Sequence, residues 1–101
     1  MEPAESTLIH LECPECCREF DADRVQTFCQ DCNSPLLARY DLQSAARQAG
    51  REQIASHQRG LWRWAELLPV RDADCQLTLG EGDTPLLPIP RLGQRLELKR
   101  L

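Results

Sequence analysis

Lysine is almost absent from this sequence, and aromatic residues and long apolar runs are scarce as well. Lys99 is the only lysine among twelve basic residues, and aromatic residues make up 5% of the chain. With 16 acidic residues the formal net charge is -4. The basic face expected of a nucleic-acid-binding protein is therefore missing, and we expect no nucleic-acid partner. No apolar stretch approaches the roughly 18 residues of a membrane helix, so we expect no membrane partner.

The first residues carry no recognisable targeting segment. Residues 1–7 are acidic, and they lack both the basic region and the apolar stretch of a signal peptide. We therefore expect a cytoplasmic protein. In that reducing compartment, clustered cysteines bind metal more often than they form disulfides.

Three zones of the chain differ in composition. Residues 8–40 contain five of the six cysteines. In residues 41–69 the only proline is the last residue, Pro69. Residues 70–101 contain three prolines and three glycines. These features predict a small α+β protein: a zinc ribbon of β-hairpins over 8–40, a helical linker over 41–69 and an extended lead-in segment over 70–101. A ribbon of about 35 residues is too small for a stable core without a metal or a disulfide.

Short helices and strands are predicted after the ribbon. Asp41 is a suitable N-cap for a helix that Gly50 then interrupts. Apolar residues at helical spacing predict a second helix over residues 61–68. Residues 76–79 and the alternating residues 95–101 suggest two short strands.

Two Cys-x-x-Cys pairs form the candidate site. A Cys-x-x-Cys turn aims both sulfurs at one point, and two such turns at the ends of a hairpin complete the tetrahedral four-sulfur shell that Zn²⁺ prefers. Four protein ligands leave no open position, so the predicted Zn²⁺ is structural and not catalytic. The predicted ligands are Cys13, Cys16, Cys29 and Cys32.

The sequence leaves alternatives open at this site. The same sulfurs could hold iron in a rubredoxin-like site, and a disulfide, a redox dithiol or unrelated buried cysteines are the alternatives without a metal. Cys17 could replace Cys16, because the residue after the second cysteine of such a turn adopts a left-handed conformation that Asn33 tolerates better than Cys17. We favour Cys16, since the two turns then match.

Two further segments stand out beside the cysteine turns: GLWRWAELLPV at residues 60–70 and LTLGEGDTPL at residues 77–86. Together with the ribbon at residues 11–42, they resemble threonine synthases, in the order expected of that family. The first is similar to the family's LWRYxxLLP segment, with Trp64 where Tyr is usual. The second is similar to its TLGEGxTPL segment.

The resemblance implies the start of a fold-type II enzyme that binds pyridoxal phosphate (PLP) on a lysine and converts O-phosphohomoserine to threonine and phosphate. In that family the lysine follows an Asn-Pro-Thr-Gly-Ser-Phe motif. Neither this motif nor the glycine-rich loop that holds the PLP phosphate occurs in these 101 residues, and Lys99 does not match the Schiff-base position. We therefore expect an amino-terminal fragment with no catalytic and no cofactor-binding residue, inactive alone, whose PLP catalytic domain is missing.

Two other functions fit the same residues. A stand-alone zinc ribbon could bind a protein. It could also bind a nucleic acid, although the negative net charge of the chain disfavours this. A fragment of another fold-type II PLP enzyme, such as a dehydratase or a sulfhydrylase-like relative, would look the same, because these residues include no substrate-binding group that separates the two.

Overall fold

The computed structural model describes residues 4–100. Residues 1–3, which belong to the segment predicted to lack a signal peptide, and residue 101, the last of a predicted strand, lie outside the described residues. Within residues 4–100 the strands are β1 (Leu8–Glu12), β2 (Glu19–Phe20) and β3 (Leu37–Tyr40), the α-helices are α1 (Leu42–Gln48), α2 (Arg51–Ser56) and α3 (Pro90–Arg95), and two 3₁₀ helices span Leu61–Leu67 and Ala73–Cys75.

β1 is the central strand of an antiparallel sheet whose order is β2-β1-β3. Leu11 lies opposite Phe20 on one side and opposite Ala38 on the other. A bulge interrupts the pairing with β3 between Leu8 and His10. The sheet and the short helices confirm the predicted small α+β fold.

The linker begins as the sequence predicts. The Asp41 side chain accepts a hydrogen bond from Ser44 N–H at 2.9 Å and caps α1. This cap satisfies a backbone donor that has no partner inside the helix. Gly50 separates α1 from α2 and takes the N-cap position of α2 in an extended conformation.

The predicted second helix is instead a 3₁₀ helix over Leu61–Leu67, broken at Trp64, whose φ is -107° and ψ is 28°. Its end is closed by the hydrogen bond from Leu68 N–H to Ala65 O, which has 3₁₀ spacing. The carboxylate oxygen Oε1 of the buried Glu66 lies 3.6 Å from His57 Nε2.

The prediction of two strands in the lead-in segment is wrong for the described residues. Residues 76–79 form no strand, because the backbone N–H groups of Gln76 and Leu77 donate to the preceding turn and not to a neighbouring strand. The chain near residue 95 is helical: Pro90 begins α3 with a fixed φ, and Glu97 follows its end in a left-handed conformation, with φ of 56°.

The buried core is small. Its apolar members are Leu8, Cys13, Cys29, Ala45 and Ala65. The radius of gyration is 18.3 Å, whereas a compact domain of this length has a radius of about 13 Å. The chain is therefore extended. No helix within residues 4–100 combines the length and the apolar character needed to cross a membrane.

A hydrogen-bonded clamp joins residues 59–62 to residues 77–83 and holds the start of the lead-in segment. Gly82 lies so close to residues 60 and 61 that a Cβ atom on Gly82 would be 2.6 Å from Leu61 N. The contacts of the clamp are Trp62 Nε1–H to Leu77 O (2.8 Å), Leu61 N–H to Glu81 O (3.3 Å) and Arg59 Nε to Asp83 Oδ2 (2.9 Å).

Candidate metal centre

The four predicted cysteines meet at one point. The sulfur atoms of Cys13, Cys16, Cys29 and Cys32 all lie within 4.8 Å of one another. Those of Cys16 and Cys29 are 3.7 Å apart. Four sulfurs at tetrahedral positions around Zn²⁺, with bonds of about 2.3 Å, would be about 3.8 Å apart. The cluster therefore fits one tetrahedral metal ion.

The two cysteine turns have the same backbone hydrogen bonds. In the first turn, which follows β1, Cys17 N–H donates to Cys13 O at 3.0 Å. In the second, Asn33 N–H donates to Cys29 O at 2.9 Å. Each turn thus bends the chain so that its paired sulfurs lie on the same side, and the two turns face each other.

The structure places Cys16, and not Cys17, in the sulfur cluster. Cys17 is exposed, and its φ is 59°, close to the 55° of the equivalent Asn33. Both residues occupy the left-handed position after the second cysteine of a turn. This geometry favours the Cys-x-x-Cys pairing for the first turn, although the ligand role of Cys16 itself stays a prediction.

The thiols of the cluster differ in acidity. The backbone N–H of Cys16 stabilises the Cys13 thiolate and lowers the pKa of Cys13 to about 7. The neighbouring Cys16 side chain, together with burial, raises the pKa of Cys32 to about 12. Close thiols cannot all ionise at neutral pH without a cation, because their negative charges repel. A dication at the centre would offset that repulsion and bind all four as thiolates.

An ion pair that was not predicted from the sequence bridges the two turns. Arg18 Nη1 lies 2.7 Å from Asp31 Oδ2, so the residue after the first turn binds a residue inside the second. The hydrogen bond to Asp31 raises the pKa of Arg18. Its guanidinium also lies 5.2 Å from the centre of the Phe20 ring. Nothing in the spacing of these residues indicates the pairing, because it depends on how the turns face each other.

Arg71 connects the ribbon to the lead-in segment. Its guanidinium donates to Leu8 O at 2.9 Å and to Ile9 O at 3.4 Å, at the bulge of β1. It also forms an ion pair with Asp23, in the loop between the two cysteine turns. Because a bulge disrupts the strand pairing, its backbone groups are free to accept from a side chain.

Comparisons with known proteins extend these observations. No protein-family model matches the chain, and no solved structure matches it. The chain is similar to a threonine synthase of Methanosarcina acetivorans, with 33% identity over 94 residues, which cover 93% of this chain and 22% of that protein. It is also similar to a threonine synthase of Methanocaldococcus jannaschii, with 32% identity over 89 residues, which cover 88% of this chain and 22% of that protein.

These similarities confirm the resemblance to threonine synthases that the motifs predict. They extend over about nine-tenths of this chain, which in turn spans about a fifth of the length of the curated relatives it matches.

Proposed function

We propose that this relative of threonine synthases is the amino-terminal, zinc-binding portion of a PLP-dependent lyase that converts O-phosphohomoserine to threonine and phosphate. The observation that carries the proposal is the similarity to two threonine synthases over nearly the whole chain, including the part that forms the four-sulfur cluster. The proposed parts are a zinc ribbon over 8–40, a helical linker over 41–69 and a lead-in segment over 70–101.

Zinc has a structural role in this proposal. Cys13, Cys16, Cys29 and Cys32 would fill all its coordination positions and leave none for a substrate or water. The buried apolar core is too small to hold the ribbon together without help. Structural Zn²⁺ can contribute on the order of 10–16 kcal/mol to a small finger, which is enough to fold it. Reduced thiols are needed for this, so we place the protein in the cytoplasm.

In this proposal the PLP site lies outside the described residues. In the turn over residues 78–81, the Glu81 carboxylate accepts hydrogen bonds from Leu79 N–H at 2.6 Å and from the Thr78 hydroxyl at 2.9 Å. A phosphate placed there would meet this negative charge and lose those donors. Lys99 is exposed, in the turn that follows α3. We therefore propose that the lysine and the phosphate site belong to another part of the enzyme.

Metal analysis of two cysteine variants tests the metal site. We expect one Zn²⁺ per chain in the wild type and in Cys17→Ser, and a large loss of bound Zn²⁺ in Cys16→Ser, because only Cys16 belongs to the cluster. The two residues are neighbours, so each variant is a control for the other. Bound iron, or the loss of zinc from Cys17→Ser, would contradict the proposed site.

An activity assay tests the enzyme assignment. The zinc-loaded 101-residue chain should release no phosphate from O-phosphohomoserine and show no imine absorbance with PLP. A polypeptide that contains this sequence together with the PLP-binding part should release phosphate and form threonine. Formation of an imine on Lys99, or activity of the longer polypeptide on a different amino acid only, would contradict the proposal. Tight, salt-sensitive binding of the zinc-loaded chain to RNA or DNA would favour a stand-alone ribbon instead.

A further inference from the structure

The end of the chain exposes an unusual number of large apolar side chains. We name residues 84–100 the docking segment. Leu86 is 99% exposed and Leu87 is 71% exposed. Gly93 is the only buried residue of the segment. The exposed apolar side chains of the segment are Leu86, Leu87, Ile89, Leu92, Leu96 and Leu98.

The segment is folded locally although it is not packed on the rest of the chain. Leu92 in α3 and Leu96, the C-cap residue of that helix, are one helical turn apart and lie on the same side. Leu98 N–H donates to Gly93 O at 2.8 Å and folds the chain back over the end of the helix. An open groove of about 430 Å³ runs beside Leu86 and Ile89. Several large exposed apolar side chains within one short segment are typical of an interaction site.

The clamp fixes where this segment leaves the folded part of the chain. Trp62, Leu61 and Arg59 hold the backbone and side chains of residues 77–83, immediately before the segment. The contact at Gly82 tolerates no side chain. The clamp therefore fixes the position of the backbone at which the docking segment begins.

The charge of the segment restricts its partner. Residues 84–100 contain four basic residues and one acidic residue, a net charge of +3, although the whole chain carries -4. Symmetric pairing of two copies of the segment would bring these positive charges together, which is unfavourable. A partner whose apolar surface has an acidic rim complements these charges better than a second copy of the segment does.

We infer that the docking segment binds such a surface on the PLP-bearing remainder of a threonine-synthase-like polypeptide, whether that remainder is in the same polypeptide or supplied by a second one. This inference rests on the proposed function. The match to the Methanosarcina acetivorans enzyme covers 93% of this chain, so it extends into the docking segment, and most of that enzyme lies beyond the match. That unmatched part is the source of the partner surface.

Site-specific photo-crosslinking in the cells that produce the protein tests the inference. A photoreactive benzoylphenylalanine replaces Leu87 in one variant and Val25 in the matched control. Val25 is also an exposed apolar residue, and it lies in the ribbon loop, outside the docking segment. We expect about tenfold more crosslinked product at position 87, because a docked face holds its partner in van der Waals contact. The crosslinked peptide, identified by mass spectrometry, should be similar to the part of threonine synthases that this chain does not match.

Equal yields at the two positions, or a crosslink from position 87 to a second copy of this chain, would overturn the inference and leave the proposed enzyme function standing. A crosslink to a PLP-binding remainder that does not act on O-phosphohomoserine would support docking and reject the function. The double variant Leu86→Asp/Leu87→Asp should abolish association with the remainder. Its zinc content should stay at one per chain, which shows that the ribbon still folds.

Discussion

The backbone at Cys17 is held in a conformation that a side chain resists. Its φ of 59° is forced by the cysteine turn, and its own thiol lies outside the sulfur cluster. Glycine adopts this conformation without a steric penalty, so Cys17→Gly should stabilise the zinc-loaded protein by about 1 kcal/mol. Urea denaturation followed by circular dichroism measures this change. Asn33→Gly at the equivalent position is the control and should gain less, because Asn tolerates the left-handed region. Destabilisation by Cys17→Gly would show that the thiol has a role in folding.

The acidity of the cluster predicts how zinc affinity depends on pH. The pKa of Cys13 is about 7 and that of Cys32 is about 12 without a metal, so at neutral pH Cys32 holds a proton that Zn²⁺ must displace and Cys13 is only partly ionised. The apparent affinity should therefore fall as the pH is lowered, by about tenfold per pH unit for each proton displaced. Competition with a chelator between pH 6 and 8 measures the slope. A slope of zero would contradict binding by four thiolates.

At the scale of elements, two glycines with the same backbone conformation separate the effect of strain from that of close contact. Gly80 and Gly82 both have φ of 89°. A Cβ at Gly80 meets nothing within 4 Å, whereas one at Gly82 would lie 2.6 Å from Leu61 N. Both substitutions by Ala incur the cost of a positive φ, about 1–2 kcal/mol. Gly82→Ala should in addition open the clamp.

Hydrogen exchange at Trp62 Nε1–H reports on that opening, because this group donates to Leu77 O inside the clamp. Exchange measured by NMR should be much faster in Gly82→Ala than in Gly80→Ala. If both variants exchange at the same rate, the close contact at Gly82 does not hold the clamp together.

Elements with a local signal were predictable from the sequence, and those that depend on distant partners were not. The cysteine spacing and the Asp41 cap both act within a few residues, and both predictions agree with the geometry. Residues 76–79 have the composition of a strand, but a strand also needs a partner, and the nearby N–H groups donate within the preceding turn. The Arg18–Asp31 ion pair and the contacts of Arg71 depend on tertiary arrangement, so spacing could not indicate them.

At the scale of the whole molecule, the chain has two parts with opposite properties. Residues 4–83 contain the four-sulfur cluster, the sheet and nearly every buried side chain. The docking segment contains one buried glycine and carries much of the exposed apolar surface. The radius of gyration of 18.3 Å reflects this division, because a segment that does not pack on the rest extends the molecule. The stability of the first part should therefore not depend on the second.

Shortening the chain tests this independence. A variant that ends at Asp83 keeps the clamp and loses only residues that are almost all exposed. Its free energy of unfolding should change by less than about 0.5 kcal/mol, as for other surface changes, and it should keep one Zn²⁺. A variant that ends at Cys75 is the matched control. It loses the clamp as well, which leaves the Trp62 indole without its acceptor, Leu77 O, and should shift the tryptophan emission. If the chain that ends at Asp83 loses its zinc, or no longer unfolds cooperatively, the docking segment stabilises the ribbon. The segment would then not serve only to bind a partner.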